Sequence, residues 1–148
     1  MLTDFVYDYV SLFVNGYGVL QDESGGWFCD RAGNPIHDVK FPNVLPRDAI
    51  PFHFDLSIVY KKEGINWKFA LIDKNAKRLT GYDYDEIIVR ENYVQTKQDK
   101  KVGAINRLGQ LIAPCDYDEI YDFGNGIFQL KNEEVMHFYD RDGNRYFE

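Results

Sequence analysis

The chain has 148 residues, of which 45% are hydrophobic and 16% aromatic, and its formal net charge is -7. No apolar run reaches the roughly 18 residues that span a bilayer, and the chain does not begin with a signal-peptide pattern. Binding to the phosphate backbone of nucleic acid requires a basic stripe, which this acidic sequence largely lacks. We therefore expect a cytoplasmic protein that binds neither membranes nor nucleic acid.

The first predicted element is a hairpin unit over residues 7–36. It opens with Tyr-Asp-Tyr-Val at 7–10 and contains an Asp-x-x-Gly turn at 30–33. In such a turn the Asp side chain bonds the turn backbone, and Gly accepts a positive φ without steric cost. Each Asp-x-x-Gly pattern therefore marks the tip of a hairpin.

An inserted loop is predicted next, at residues 37–50, in a region punctuated by three prolines. Prolines reduce the conformational entropy that a loop loses when it becomes ordered on binding. Phe41 and Leu45 give this loop an apolar tip that a core does not require. We predict that Phe41 and Leu45 contact a partner.

Three further units follow, over residues 51–81, 82–114 and 115–148. Shifting the chain by 33 residues aligns Asp-Tyr-Asp-Glu-Ile at 83–87 with the same five residues at 116–120. The second unit lacks the turn glycine, because Lys-Asn-Ala follows its aspartate. We predict that Asn75 takes the left-handed conformation there, since Asn tolerates it better than Ala does.

The whole chain is predicted to be all-β. Short β-branched and aromatic runs, broken by polar turns, indicate about four antiparallel hairpin or meander repeats of roughly 33 residues. One hairpin cannot bury its apolar face alone, so the units must stack or pair. We expect a single stacked or barrel-like domain over residues 1–148, and the pattern leaves open whether the sheet closes.

The units resemble the tryptophan-glycine (WG) repeat family, whose repeats combine Tyr-Asp-Ile, a strand, Trp-Gly-aromatic-Ile-Asp-x-x-Gly and a closing strand with proline. The match is best at residues 101–106, followed by Gly109 and residues 112–120. The tryptophan position is occupied in turn by Gly26, Phe69, Val102 and Met136. The resemblance implies a mostly bacterial binding scaffold without a shared chemistry.

Acidic residues recur beside tyrosine in the two aligned motifs. They could bind calcium or act as catalytic pairs, but their recurrence favours turn caps and charged strand edges that prevent aggregation. Several rings would exceed the needs of a modest core if some of them point outward, and outward rings beside acids would form a recognition surface. For most of these rings we favour cross-strand ladders within the sheets. The rings are Tyr82, Tyr84, Tyr93, Tyr117, Tyr121 and Phe123. We predict a partner-binding surface that comprises Tyr84, Asp85, Glu86, Tyr117, Asp118 and Glu119.

The remaining reactive residues form no recognisable site. Cys29 and Cys115 lie 86 positions apart without a C-x-x-C motif, and the three histidines lack the spacing of a zinc site. Neither a nucleophile elbow nor a phosphate-binding loop occurs. We expect no catalytic residue, no metal and no cofactor.

These observations favour a bacterial protein-interaction module that presents an acidic and aromatic face to a basic protein partner. A toxin-neutralising immunity protein or another inhibitor works in this way, since opposite charges speed capture. Two alternatives stay open: an enzyme that acts on carbohydrate or another small substrate through a carboxylate pair, and a structural repeat fragment that self-associates. The oligomeric state is not fixed by the sequence.

Overall fold

The computed structural model describes residues 9–10, 18–36, 40–44 and 54–146. Within these ranges the regular secondary structure is entirely β, with 14 strands in four antiparallel sheets. The chain divides into two compact units, Met1–Tyr82 and Asp83–Glu148. The division lies one residue after the boundary between the repeats at 51–81 and 82–114.

The first unit contains two three-stranded sheets. The first sheet has the order β1 (Tyr9–Val10), β2 (Gly18–Asp22) and β3 (Gly25–Cys29). The second has the order β4 (Asn43–Val44), β5 (Leu56–Glu63) and β6 (Asn66–Asp73). Both sheets contribute to one apolar core, made of Val19, Phe28, Phe41, Val59, Ala70, Ile72 and Ala76.

The second unit contains two four-stranded meanders. The first runs through β7 (Glu86–Val89), β8 (Val94–Gln98), β9 (Lys101–Ile105) and β10 (Leu111–Tyr117). The second runs through β11 (Glu119–Asp122), β12 (Ile127–Lys131), β13 (Met136–Asp140) and β14 (Arg145–Tyr146). The two sheets share a core of Tyr93, Ala104, Ile112, Ala113, Tyr117, Phe128, Leu130 and Tyr139.

Strand β10 is irregular where it passes β9. The register between the two strands shifts between Leu111 and Ala113 and again between Ala113 and Tyr117. At this place Gly103 of β9 lies close to the β10 backbone: an added Cβ would stand 2.7 Å from the Ala113 carbonyl oxygen. Real Cβ atoms do not approach a backbone oxygen so closely, so the packing of β9 on β10 requires glycine at position 103.

The four repeats close with the same turn. In each turn the side chain of the first residue accepts hydrogen bonds of 2.9 or 3.0 Å from two backbone N–H groups, two and four residues later. The main-chain N–H of that first residue donates to the carbonyl four residues on, over 2.8 to 3.0 Å. The first residues are Asp30, Asp73, Asn106 and Asp140.

The fourth residue of each turn has a positive φ. Three of these positions are glycine, with φ between 84° and 85° at Gly33, Gly109 and Gly143. In the second repeat Ala76 adopts φ 64°, so the prediction for Asn75 is wrong. Alanine is retained at this strained position while its methyl group is 6% exposed and packs in the first core.

The all-β fold class is confirmed, since every described sheet is built from antiparallel hairpins. Within the described residues the four sheets are separate, and none closes into a barrel. The inserted segment is not a plain loop: its residues 43–44 form β4, and Phe41 exchanges main-chain hydrogen bonds of 2.8 and 2.9 Å with Gly26. These long-range pairings anchor the segment to both sheets of the first unit.

Candidate functional site

The sheet from β11 to β14 has two unlike faces, because side chains alternate along each strand. Phe128, Leu130 and Tyr139 point inward and are at most 6% exposed. The opposite face carries large apolar side chains that remain partly or largely exposed. We call this surface the aromatic face and define it by Tyr121, Phe123, Met136, Phe138 and Tyr146.

The rings of the aromatic face form one contiguous row. The ring centroid of Phe123 lies 5.3 Å from that of Tyr121 and 6.2 Å from that of Phe138, on which the Phe123 ring stacks. Cross-strand pairing places Phe138 opposite Tyr146. Tyr121 is 64% exposed and Phe123 48% exposed. A set of adjacent exposed rings on a sheet is typical of protein-binding surfaces.

The preceding sheet has small or aliphatic residues at the equivalent positions. Ile88 stands where β11 has Tyr121, and Ala104 stands where β13 has Phe138, as the aligned repeats show. Ala104 is fully buried. The large rings at these positions therefore belong to the fourth repeat, whereas the third repeat has the core residue Ala104 at the position of Phe138.

Acidic residues border the aromatic face. Glu133 and Glu134 are exposed in the turn between β12 and β13, next to Met136. Asp142 is exposed in the turn between β13 and β14. The second unit as a whole has 14 acidic and eight basic residues, a formal net charge of -6. The surroundings of the aromatic face thus favour a cationic partner.

The predicted residues of the third repeat lie on and beside strand β7. Glu86 is exposed and forms an ion pair with Lys97, its cross-strand neighbour, at 3.7 Å. Asp85 is half-buried and accepts a hydrogen bond of 2.8 Å from the N–H of Asp99. Tyr84 is also half-buried, and burial raises the pKa of its hydroxyl. Of these three residues, Glu86 is the one that is exposed to solvent.

The acidic residues of the fourth repeat are exposed. Glu119 pairs with Lys131 at 3.2 Å across β11 and β12, as Glu86 pairs with Lys97 in the third repeat. Asp118 bonds the ammonium of Lys101 at 2.5 Å. Glu119 and Tyr121 lie on the same face of β11, since they are two residues apart. Glu119 is therefore the predicted site residue that belongs with the aromatic face.

Two predicted site residues are buried. Tyr117 is 3% exposed, and Phe41 is 6% exposed with its ring 6.4 Å from Phe28. Their assignment to an exposed surface is corrected: Tyr117 belongs to the core of the second unit because β10 turns its ring towards β13, and Phe41 belongs to the first core because it bridges to Gly26. Leu45 lies outside the described residues.

Three described carboxyl groups have a displaced pKa. Where a carboxyl pKa is displaced, at Asp22, Asp30 and Asp140, it is lowered by hydrogen bonds within turns. In the described part of the chain no group of three or more His, Cys, Asp or Glu residues is placed to hold a metal ion. These carboxylates stabilise turns.

Both thiols also have a displaced pKa. Burial raises the pKa of both Cys29 and Cys115, and a thiol with a raised pKa has little reactive thiolate at neutral pH. Across the described ranges, no helix is long and apolar enough to cross a membrane.

Three residues of the aromatic face were not predicted from the sequence: Met136, Phe138 and Tyr146. Met136 occupies the tryptophan position of the repeat, where the sequence comparison treats it as a departure from the pattern. The strict alternation of Met136, Phe138 and Asp140 along one strand is the signal that could have placed them on one face.

Comparison with known proteins supports the repeat assignment. Residues 103–134 match the family model described as "WG containing repeat". This match covers β9 to β12 and confirms the resemblance to the WG repeat family over one repeat length. Neither a curated protein nor a solved structure matches the chain.

Proposed function

We propose that this WG-repeat chain is a protein-interaction module whose aromatic face binds a basic partner protein. The observation that carries the proposal is the row of rings that runs from the exposed Tyr121 and Phe123 to the half-buried Phe138. Exposed apolar rings cost solubility and contribute nothing to the core of their own unit. A bound protein would remove these rings from water, and this burial would stabilise the complex.

Charge supports a basic partner. The unit that carries the aromatic face has a net charge of -6, and exposed acids such as Glu133 and Glu134 stand at its border. Cations are also attracted to the faces of aromatic rings. Lysine and arginine side chains of a partner would therefore find both carboxylates and exposed rings on one surface.

The finer role that fits these properties is inhibition of a basic bacterial protein, as by a toxin-neutralising immunity protein in the cytoplasm. A small acidic domain can block a basic active site by covering it, and complementary charge increases the rate of association. The module would then act by steric occlusion and would need no catalytic residue, metal or cofactor of its own.

Affinity capture tests the proposal. The tagged chain should retain a basic protein from its host lysate, and Tyr121→Ala with Phe123→Ala should reduce the amount retained at least tenfold. Leu108 is 69% exposed and stands in the turn between β9 and β10, outside the residues that define the aromatic face, so Leu108→Ala is the matched control and should retain the partner as the unmodified chain does.

Two results would count against the proposal. Retention of the same proteins by the double variant would show that the aromatic face is not the binding surface. Recovery of acidic proteins alone would contradict the charge assignment. If a basic enzyme is recovered, adding the purified chain at equal concentration should inhibit that enzyme, and full activity at saturation would exclude the inhibitor role.

A further inference from the structure

The tip of the β5–β6 hairpin, residues 60–69, extends beyond the core of the first unit. The base of the hairpin is buried at Leu56–Val59 and Ala70–Ile72, whereas each residue of the tip is partly or fully exposed. Ile65 is 92% exposed and Trp67 is 47% exposed. Large apolar residues at the end of a protruding ribbon are suited to contact with another protein surface.

The tip is also basic. Lys61 and Lys68 are cross-strand partners, an arrangement in which like charges destabilise a sheet. Lys61 and Arg78 both lie 5.0 Å from the ring of Tyr82, so a second pair of cations converges on one ring. Residues 54–82 contain six basic and three acidic residues. An acidic surface placed against the tip would complement its positive charge.

The aromatic face has the chemistry that complements the tip. Lys62 already lies over the Trp67 ring at 5.8 Å, which shows that lysines of the tip reach the cation–ring geometry. The aromatic face offers exposed rings at Tyr121 and Phe123, with carboxylates at its border. Trp67 and Ile65 would add apolar contact area to the charge attraction.

We infer that the hairpin tip of one copy docks on the aromatic face of a second copy of this chain. The inference rests on the proposed function, since it names the tip of another copy as a basic partner of the aromatic face. The two patches are different, so the contact is heterologous, and its repetition produces a ring or an open row of copies. The net charge of -7 on every copy opposes association, so we expect it to be weak and concentration-dependent.

Sedimentation velocity of the full chain over a wide concentration range tests the inference. The unmodified chain should shift to larger species as its concentration rises. Lys62→Glu with Lys68→Glu should remain monomeric, because the tip becomes acidic. Glu133→Lys with Glu134→Lys should also remain monomeric, because the border of the aromatic face becomes basic.

An equimolar mixture of the two charge-reversed variants is the decisive sample. Acidic tips of one variant then meet basic borders of the other, so the mixture should associate although neither variant does so alone. Lys100→Glu with Arg107→Glu lowers the net charge by the same amount as the tip variant, at exposed positions of turns outside the residues that define both patches. It should associate as the unmodified chain does. Far-UV circular dichroism of each variant establishes that the β fold is intact.

A monomeric unmodified chain at every concentration, or a mixture no larger than its separate components, overturns the inference. The proposed function is tested separately by the capture experiment with Tyr121→Ala and Phe123→Ala. If capture of a basic protein depends on those rings while the chain stays monomeric, self-docking alone is excluded. If the mixture reassociates but no other protein is captured, the basic partner is the chain itself.

Discussion

The hydroxyl of Tyr117 lies 2.7 Å from Nδ1 of His137, and both side chains are buried. The same hydroxyl lies 2.6 Å from the hydroxyl of Tyr139. Tyr117 comes from β10, whereas His137 and Tyr139 come from β13, so these contacts join the two sheets of the second unit. Buried polar groups that satisfy one another fix the packing of the elements that carry them.

Removal of the Tyr117 hydroxyl should destabilise the second unit. Tyr117→Phe keeps the ring but leaves the buried polar atoms of His137 and Tyr139 without this partner, at a cost of about 1–3 kcal/mol in the free energy of unfolding. Urea unfolding measures the loss. The exposed Tyr121 provides the control, because Tyr121→Phe removes a hydroxyl that water can replace and should leave the stability unchanged.

Alkaline pH should weaken the same contact. Burial, followed by the hydrogen bond with Tyr139, raises the pKa of Tyr117 well above the usual value of 10.0. A raised pKa in the folded state means that the stabilisation is fully present below pH 10 and is lost as the pH rises further. Urea unfolding at pH 8 and at pH 11 should therefore show a smaller alkaline loss for Tyr117→Phe than for the unmodified chain. Equal losses in the two proteins would contradict this assignment.

Acidic pH should weaken the turn at Asp140. Burial opposes ionisation there, but hydrogen bonds from Tyr146, from Asn144 and from turn N–H groups outweigh it and lower the pKa of Asp140 to about 2. Because the pKa of Asp140 is lower in the folded state than its ordinary value of 3.8, the ionised carboxylate stabilises the folded state above pH 3.8. This stabilisation is lost as the pH falls towards 2.

Asp140→Asn separates this charge effect from the turn geometry. The amide oxygen of asparagine can accept the same backbone bonds, as Asn106 does in the third repeat. We expect a folded variant whose unfolding free energy changes less between pH 4 and pH 2 than that of the unmodified chain. If the unfolding free energy of the variant fell between pH 4 and pH 2 as much as that of the unmodified chain, a group other than Asp140 would be responsible for the loss.

Gly103→Ala should be strongly destabilising. The added methyl group would stand 2.7 Å from the Ala113 carbonyl oxygen, and because this neighbour is backbone, the strand itself must move. Such overpacking costs about 1–3 kcal/mol, or more where the backbone cannot yield. Chemical denaturation gives the magnitude.

Gly124→Ala tests the second reason why a position requires glycine, which is a positive φ. Gly124 has φ 82° and no atom within 4 Å of an added Cβ, so its substitution tests backbone strain without a steric clash. We expect a cost of about 1 kcal/mol, clearly below that of Gly103→Ala. A reversed order would mean that β10 moves away from β9 without penalty.

Both cysteines should resist thiol reagents in the folded protein. Cys29 is fully buried, and the Cys115 sulfur lies 3.3 Å from the Thr96 hydroxyl. Their raised pKa values reduce the thiolate fraction below that of a free cysteine at neutral pH. An aromatic disulfide reagent should label two thiols rapidly in urea and both slowly in buffer. Rapid labelling of one thiol in buffer would reveal a reactive cysteine.

The turns and the repeat period could be predicted because their causes are local. An Asp or Asn side chain caps its own turn within five residues, so residue type and spacing suffice to recognise it. Asn75 was misassigned because the choice between Asn75 and Ala76 depends on the core, where the Ala76 methyl group is buried. A local preference alone does not contain that contact.

The candidate site was predictable only in part, since the exposure of a ring depends on which sheet face it joins. Tyr117 and Tyr121 are similar in sequence context, yet Tyr117 packs inward from β10 and Tyr121 points outward from β11. Phe41 lies in a proline-rich segment that reads as a loop, and its burial comes from a pairing with Gly26, 15 positions earlier. Such long-range pairings are not encoded in short sequence patterns.

The self-contained turns have a consequence for how such a chain can change over generations. Each turn is completed by bonds within one stretch of five residues, so duplication or loss of a repeat leaves the turns of the others intact. Substitutions on the outer face of one copy are then free to accumulate while its capping residue and inward side chains are kept. The fourth repeat carries the exposed Tyr121 where the third repeat has the half-buried Ile88, and this is a difference of that kind.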